Sequence, residues 1–256
     1  MKESIVTETD RRVIVAQARR VVIKLGTAIL MKEDGGIALS RFYSFIEAIA
    51  GLMKEGKEVL LVTSGAVGLG SQKLGLTKSP KQLPLKQACA AIGQGRLMAL
   101  YSDAFASMDI ITAQILLTEG DFSNRQRYLN LRSTIQELVQ LRVLPIINEN
   151  DTVSTVELES VKAEEHYKVN FGDNDKLSAL VASKIEADLL VILTDVEGLY
   201  TDDPRKGLDS QLISEVSAIT PEIESLAETP AKVTSKVGRG GMKTKLDAAK
   251  TATHSG

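Results

Sequence analysis

The stretch VVIKLGT, Val21–Thr27, decides how the rest of the chain is interpreted. Its apolar run is typical of a strand that is buried on both faces. Lys24 is the only charge in that run, and Gly26 follows the strand and leaves the backbone bare. A buried strand therefore brings a cation and backbone groups to one point, which indicates a site for a strongly anionic group such as a phosphate.

A second lysine, Lys245, stands beside a glycine-rich turn near the far end of the chain. The segment Gly238–Thr244 (GRGGMKT) precedes it and runs into a helical pattern. A helix N-terminus offers unpaired N–H groups and partial positive charge to an anion. We therefore expect Lys24 and Lys245 to converge on one anionic group.

The composition argues against several classes of protein. The 256 residues carry a net charge of −2, whereas a general nucleic-acid binder normally shows a basic excess. Two histidines and one cysteine, without paired-ligand spacing, argue against a histidine or thiolate metal site. No apolar stretch approaches the roughly twenty residues of a membrane span, and the segment Lys2–Arg20 lacks the apolar core of a secretion signal. We expect a cytoplasmic protein with no membrane and no nucleic-acid partner.

Short apolar runs alternate with longer helical patterns along the chain. The runs predict strands at Val21–Leu25, Glu58–Thr63, Ile110–Leu116, Val143–Ile147 and Asp188–Leu193. The helical patterns predict helices at Leu39–Glu55, Pro84–Met108, Arg125–Leu141, Asp175–Glu186 and Met242–Thr253. This alternation predicts an α/β fold of three αβα layers, with a mainly parallel central sheet whose ligand lies beyond the carboxyl ends of the strands.

Polar residues collect just after four of the predicted strands. They are Gly26-Thr27, Ser64-Gly65, Asn148–Asp151 and Thr194-Asp195. One such cluster alone is explained by caps and turns, but four at the same edge favour a binding site. The amides and acids of Asn148–Asp151 suit a small zwitterion, and an Asx-rich turn is the structural alternative.

The segment Gly172–Asp175 begins a predicted helix and carries two carboxylates around an amide. Helix capping explains an aspartate or asparagine at such a position, but two carboxylates exceed that need. If Lys24 and Lys245 meet over a phosphoryl group, they repel each other, and an aspartate between them would hold both ammonium groups. Asp175 is the candidate for that role.

The segments at residues 21–27, 63–68, 145–154, 172–178, 194–205 and 238–246 together resemble the amino acid kinase family, and the resemblance covers most of the chain from Val21 onward. It implies ATP-dependent phosphorylation, with Mg2+. The pairing of Asn148–Asp151 with Gly172–Asp175 resembles the members that act on the γ-carboxylate of L-glutamate in proline synthesis. By this resemblance Lys24 and Lys245 stabilise the transferring phosphoryl group, and Asp175 orients them.

The resemblance also implies the binding residues. Those for glutamate are Ser64, Gly65, Gln114, Asn148, Asp151 and Asn174. Those for the nucleotide are Thr194, Asp195, Gly238, Arg239, Gly240, Gly241, Met242, Lys243 and Thr244. It further implies one domain, with a glutamate-binding half at about 19–170 and an ATP-binding half at about 171–256 whose C-terminal end is truncated. Finally, the resemblance implies that the chain forms a homo-oligomer and that proline inhibits it by feedback.

Two alternatives stay open. The chain could be a family member that phosphorylates N-acetylglutamate or uridylate instead, or a non-catalytic amino-acid sensor. The two lysines and Asp175 argue against a sensor, since a sensor has no phosphoryl group to stabilise. The segment Glu157–Val169 could form a hairpin or flap over the glutamate site.

Overall fold

A five-stranded parallel sheet forms the centre of the computed structural model, which describes residue 13 and residues 15–32, 36–77, 80–154, 174–202, 210–227 and 241–254. The strands are β1 (Arg20–Leu25), β2 (Glu58–Val62), β3 (Thr112–Leu117), β4 (Leu144–Glu149) and β5 (Leu189–Leu193). Their order is β3-β4-β2-β1-β5, and every neighbouring pair is parallel. All five predicted strands are confirmed, with ends shifted by at most two residues.

Helices connect the strands and cover the sheet. They are α1 (Thr27–Leu30), α2 (Leu39–Lys54), α3 (Ala66–Lys73), α4 (Leu83–Ala106), α5 (Glu119–Ser123), α6 (Arg125–Gln140), α7 (Asn174–Lys184), α8 (Pro221–Ala227) and α9 (Met242–Thr253). The five predicted helices are confirmed as α2, α4, α6, α7 and α9. The other four helices of the described residues were not predicted, because they are only four to eight residues long and so carry little periodic signal. Within the described ranges, no helix combines the length and apolar character that crossing a membrane requires.

Each face of the sheet has its own apolar core because strand side chains alternate in direction. On the first face β1 packs with α2 and α4 through Val21, Ile23, Leu25, Phe42, Ile46, Tyr101 and Phe105. On the second face the sheet packs with α6 and α7 through Val22, Leu60, Val62, Ile147, Ile135, Leu177 and Val181. The three-layer αβα architecture is therefore confirmed. By the same alternation Lys24 lies on the α7 side, and Asn148 lies on the α4 side.

Helices α3 and α4 approach each other at backbone distance. A Cβ atom added to Gly70 would lie 1.8 Å from the carbonyl oxygen of Cys89, and one added to Gly93 would lie 1.7 Å from that of Ala66. No real Cβ atom approaches an oxygen so closely, so glycine is required at both positions. This packing holds the first turn of α3, which follows β2, against the middle of α4.

Candidate active site

The carboxyl edge of the sheet collects most of the candidate residues, as the rule for parallel sheets predicts. Lys24 is the last residue but one of β1, and Asn148 is the last but one of β4. Ser64 lies just beyond β2, and Thr194 follows β5 directly. Asn174 begins α7, which packs against the sheet at this edge.

Asp175 lies between the two lysines that the sequence analysis singled out. Its Oδ1 is 2.6 Å from Nζ of Lys24, and its Oδ2 is 3.3 Å from Nζ of Lys245. The hydroxyl of Thr244 also donates to Oδ2, at 3.0 Å. Asp175 is fully buried, and Lys24 is only 5% exposed. We call Lys24, Asp175 and Lys245 the charged cluster; its members come from β1, α7 and α9.

The pKa of the Asp175 carboxyl is lowered. Burial is the largest single influence and raises this pKa, but the charges of Lys24 and Lys245, with hydrogen bonds from Lys24 and Thr244, together outweigh it. The first turn of α7 also favours a negative charge at this position. The carboxylate is therefore ionised at neutral pH, and two ammonium groups around one carboxylate leave the cluster with net positive charge suited to an anion.

The turn after β2 is tied to the end of β1. The hydroxyl of Thr27 donates to Oγ of Ser64 at 2.9 Å, and the hydroxyl of Ser64 donates to the carbonyl oxygen of Leu25 at 3.2 Å. Gly65 has φ of 108°, a left-handed conformation that glycine adopts readily. Because its proton is engaged with the backbone, Ser64 presents its oxygen as an acceptor to a ligand.

A set of side-chain amides, Asn174, Asn148 and Gln94, joins α7, β4 and α4; we call it the amide network. Nδ2 of Asn174 donates to the carbonyl oxygen of Thr63 at 2.6 Å and to Oδ1 of Asn148 at 3.0 Å. Nδ2 of Asn148 donates to Oε1 of Gln94 at 2.8 Å. The backbone N–H of Glu149 donates to Oδ1 of Asn148 at 2.9 Å. A direct hydrogen bond therefore joins the side chains of two predicted glutamate-binding residues, Asn148 and Asn174.

Sequence reasoning missed Gln94. The residue lies four positions after Ala90 and three before Leu97, and both of these neighbours are buried on the face of α4 that packs on the core. A polar amide on such a buried stripe needs hydrogen-bond partners. That mismatch between residue type and position is the signal that could have identified Gln94.

The remaining candidate residues within the described ranges lie at the following places in the fold. Gln114 is exposed in the middle of β3, and in the part of the chain that the structure describes no hydrogen bond joins its side chain to the amide network. Asp151 begins the turn after β4. The hydroxyl of Thr194 donates to Oδ1 of Asp195 at 3.2 Å, just beyond β5. Gly241 is the N-cap of α9, whose first residues are Met242, Lys243 and Thr244.

Several predictions fall outside the described residues. They concern Gly172, Asp173, Gly238, Arg239, Gly240 and the segment Glu157–Val169. Within the described ranges, no group of three or more His, Cys, Asp or Glu side chains could hold a metal ion.

Residues 19–256 match the amino acid kinase family, and the chain belongs to that family. The resemblance inferred from the motifs is thereby confirmed. Curated relatives include the glutamate 5-kinase of Methanococcoides burtonii, 44% identical over 97% of this chain and 63% of the relative. The glutamate 5-kinases of Nitrosomonas eutropha and Burkholderia thailandensis are 48% and 47% identical, each over 96% of this chain and 62% of the relative. The chain thus spans less than two thirds of the length of these relatives.

A solved structure shows the same fold. Carbamate kinase from Giardia lamblia bound to AMP-PNP superposes with a TM-score of 0.58 over 94% of this chain and 91% of the other. The two sequences are 19% identical, so the likeness concerns the fold alone.

Proposed function

We propose that the chain catalyses ATP-dependent phosphorylation of the γ-carboxylate of L-glutamate to L-glutamyl 5-phosphate, the first step of proline biosynthesis. The observation that carries the proposal is the charged cluster beside the amide network, at the edge of the sheet where α/β proteins bind their ligands. The similarity to several glutamate 5-kinases supports the choice of acceptor.

The charged cluster suits phosphoryl transfer between two anions. A glutamate side chain, with an ordinary pKa of about 4.3, is ionised at pH 7 and attacks without a general base. Its γ-carboxylate oxygen forms a bond to the γ-phosphorus of ATP while the bond to the ADP oxygen breaks. Lys24 and Lys245 offset the repulsion between the two anions, and Asp175 holds their ammonium groups in position before the substrates arrive.

The amide network and the turn after β2 suit the acceptor. Asn148 and Asn174 are held by several hydrogen bonds each, so their side chains are oriented in advance. The Ser64 oxygen and the Asp151 carboxylate are acceptors for the ammonium group of glutamate. Gln114 and Gly65 complete the proposed glutamate set.

The nucleotide would bind beyond β5 and α9. Thr194, Asp195 and the start of α9 at Gly241–Thr244 supply hydroxyl, carboxylate and backbone N–H groups there, and Gly238, Arg239 and Gly240 belong to the same proposal. Mg2+ neutralises phosphate charge when bound with ATP. Because Asp175 is engaged by two lysines, we propose that phosphate oxygens supply most ligands of this ion, a common arrangement for Mg2+.

Trapping of the acyl phosphate with hydroxylamine tests the proposal. With ATP, Mg2+ and L-glutamate the chain should form glutamyl hydroxamate, and omission of any one of them should abolish it. Phosphate transfer to N-acetylglutamate or uridylate but not to glutamate would replace the proposed substrate. Glutamate binding without hydroxamate would indicate a sensor. The same assay with proline added tests the proposed feedback inhibition, and sedimentation tests the proposed homo-oligomer.

A further inference from the structure

Gln94 carries a buried hydrogen-bond donor that nothing in the proposed mechanism has used. The residue is only 8% exposed, and its Oε1 accepts from Asn148. Its Nε2 is shielded from solvent and has no hydrogen-bond partner in the part of the chain that the structure describes. Burial of an unpaired donor is unfavourable and uncommon in folded proteins, so this atom requires an explanation.

Backbone groups determine which way the three amides point. The carbonyl oxygen of Thr63 can only accept, so Asn174 must turn its Nδ2 toward it, and the same nitrogen reaches Oδ1 of Asn148. The backbone N–H of Glu149 can only donate, which independently requires Oδ1 of Asn148 on that side. Asn148 must then offer its Nδ2 to Gln94. The oxygen of Gln94 is thereby engaged, and its nitrogen is the surplus donor.

The position of Gln94 places this donor between two segments of the proposed acceptor site. The preceding residue, Gly93, packs against the carbonyl group of Ala66 in the first turn of α3. That turn directly follows Ser64 and Gly65, and its helix N-terminus adds partial positive charge. On the other side, Gln94 is bonded to Asn148 at the end of β4. A surplus amide donor on the residue that follows the Gly93 contact suits a carboxylate.

We propose that Gln94 binds the α-carboxylate of the acceptor amino acid through Nε2, while its Oε1 keeps the Asn148 amide in place. The inference rests on the proposed function, in which the γ-carboxylate is the group that faces Lys24 and Lys245. Since Nε2 is shielded in this structure, the acceptor must part the groups that cover it, and the bond then forms away from water. Gln94 thereby distinguishes a free amino acid from an acceptor that lacks a second carboxylate.

A comparison of two acceptors in two proteins tests this contact. L-Glutamic acid α-amide keeps the γ-carboxylate and the ammonium group but replaces the α-carboxylate with a neutral amide. The values of kcat/KM for glutamate and for the α-amide are measured by hydroxamate formation in the wild type and in Gln94→Leu. We expect the substitution to lower the value for glutamate about tenfold or more, as loss of a hydrogen bond to a charged group does. The value for the α-amide should fall much less, and the KM for ATP should be unchanged.

An equal loss for both acceptors would overturn the proposal, because it would show that Gln94 acts only through Asn148 or through the fold. Gln94→Glu is the second variant, since it keeps an acceptor for Asn148 but puts an oxygen where the surplus donor was. We expect Gln94→Glu to lower kcat/KM for glutamate more than kcat/KM for the α-amide. An unchanged ratio of the two values would contradict the proposal even if Gln94→Leu fails to fold.

Gln136→Glu is the matched control, because Gln136 is exposed on α6, and it should leave both values of kcat/KM unchanged. A wild type that forms no hydroxamate from glutamate would refute the proposed function and the inference with it. An active wild type whose preference survives both substitutions would refute the inference alone.

Discussion

The charged cluster and the amide network lie at the same edge of the sheet but use opposite means. The charged cluster holds three formal charges, of which Lys24 and Asp175 are buried and Lys245 is partly exposed, and its net positive charge attracts anions. The amide network is neutral, and its polarity is set by hydrogen bonds to the backbone. Asp175 and Asn174, one from each region, are consecutive residues at the start of α7. A single rigid helix thus relates the proposed transfer end to the proposed acceptor end.

Of two substitutions at consecutive positions, Asp175→Asn should have a larger effect on activity than Asn174→Ala. Without the carboxylate, the ammonium groups of Lys24 and Lys245 repel each other and lose their common anchor. We expect kcat in the hydroxamate assay to fall about a hundredfold to a thousandfold, the usual cost of losing a preorganised electrostatic contact. The KM for glutamate should change little. Asp103→Asn, on the exposed face of α4, is the matched control and should retain the wild-type kcat.

The acid stability of the same variant gives a second readout of Asp175. Because the pKa of this carboxyl is lowered in the folded chain, its contribution to the free energy of unfolding is complete above the ordinary value of about 3.9. It is lost as the pH falls through the lowered value. Thermal unfolding of the wild type should therefore lose more stability below about pH 4 than that of Asp175→Asn. If the stabilities of the two proteins fall equally with pH, the ion pairs of Asp175 contribute nothing to stability.

Asn174→Ala should have a smaller effect of a different kind. It removes the bonds to Thr63 and Asn148, so the acceptor site loses its orientation while the charged cluster keeps its members. We expect the KM for glutamate to rise about tenfold, with a smaller change in kcat. Asn130→Ala, at an exposed position on α6, serves as control. A large loss of kcat with an unchanged KM would mean that the two regions are not separate in function.

The sequence identified the parts of this fold that carry strong local signals. Strands β1, β2 and β4 are buried on both faces and therefore appear as continuous apolar runs. The insertion of β4 between β2 and β3 follows from long-range packing, which no local pattern reports. Helix α3 was missed because it is short and contains Gly68 and Gly70.

In the candidate site, too, residues with a local sequence signal were predicted, and residues whose role depends on long-range packing were not. Lys24 and Lys245 were expected to meet because each stands beside a glycine-rich turn, and an aspartate was needed between them on electrostatic grounds. The structure places Asp175 there. For Gln94 the sequence offers only the mismatch of an amide on a buried helix stripe, because its hydrogen bond is to Asn148, more than fifty residues further along the chain. Hydrogen bonds of this kind depend on how α4 packs against the sheet.

A double-mutant cycle on the two lysines tests most directly the claim that they act on one phosphoryl group. The values of kcat are measured by hydroxamate formation for Lys24→Met, Lys245→Met and the double variant, with circular dichroism to verify folding. We expect each single substitution to lower kcat about a hundredfold to a thousandfold. The kcat of the double variant should be little lower than that of the less active single variant, because the effects of residues that act as a unit are not additive. Losses that multiply in the double variant would contradict a shared site of action.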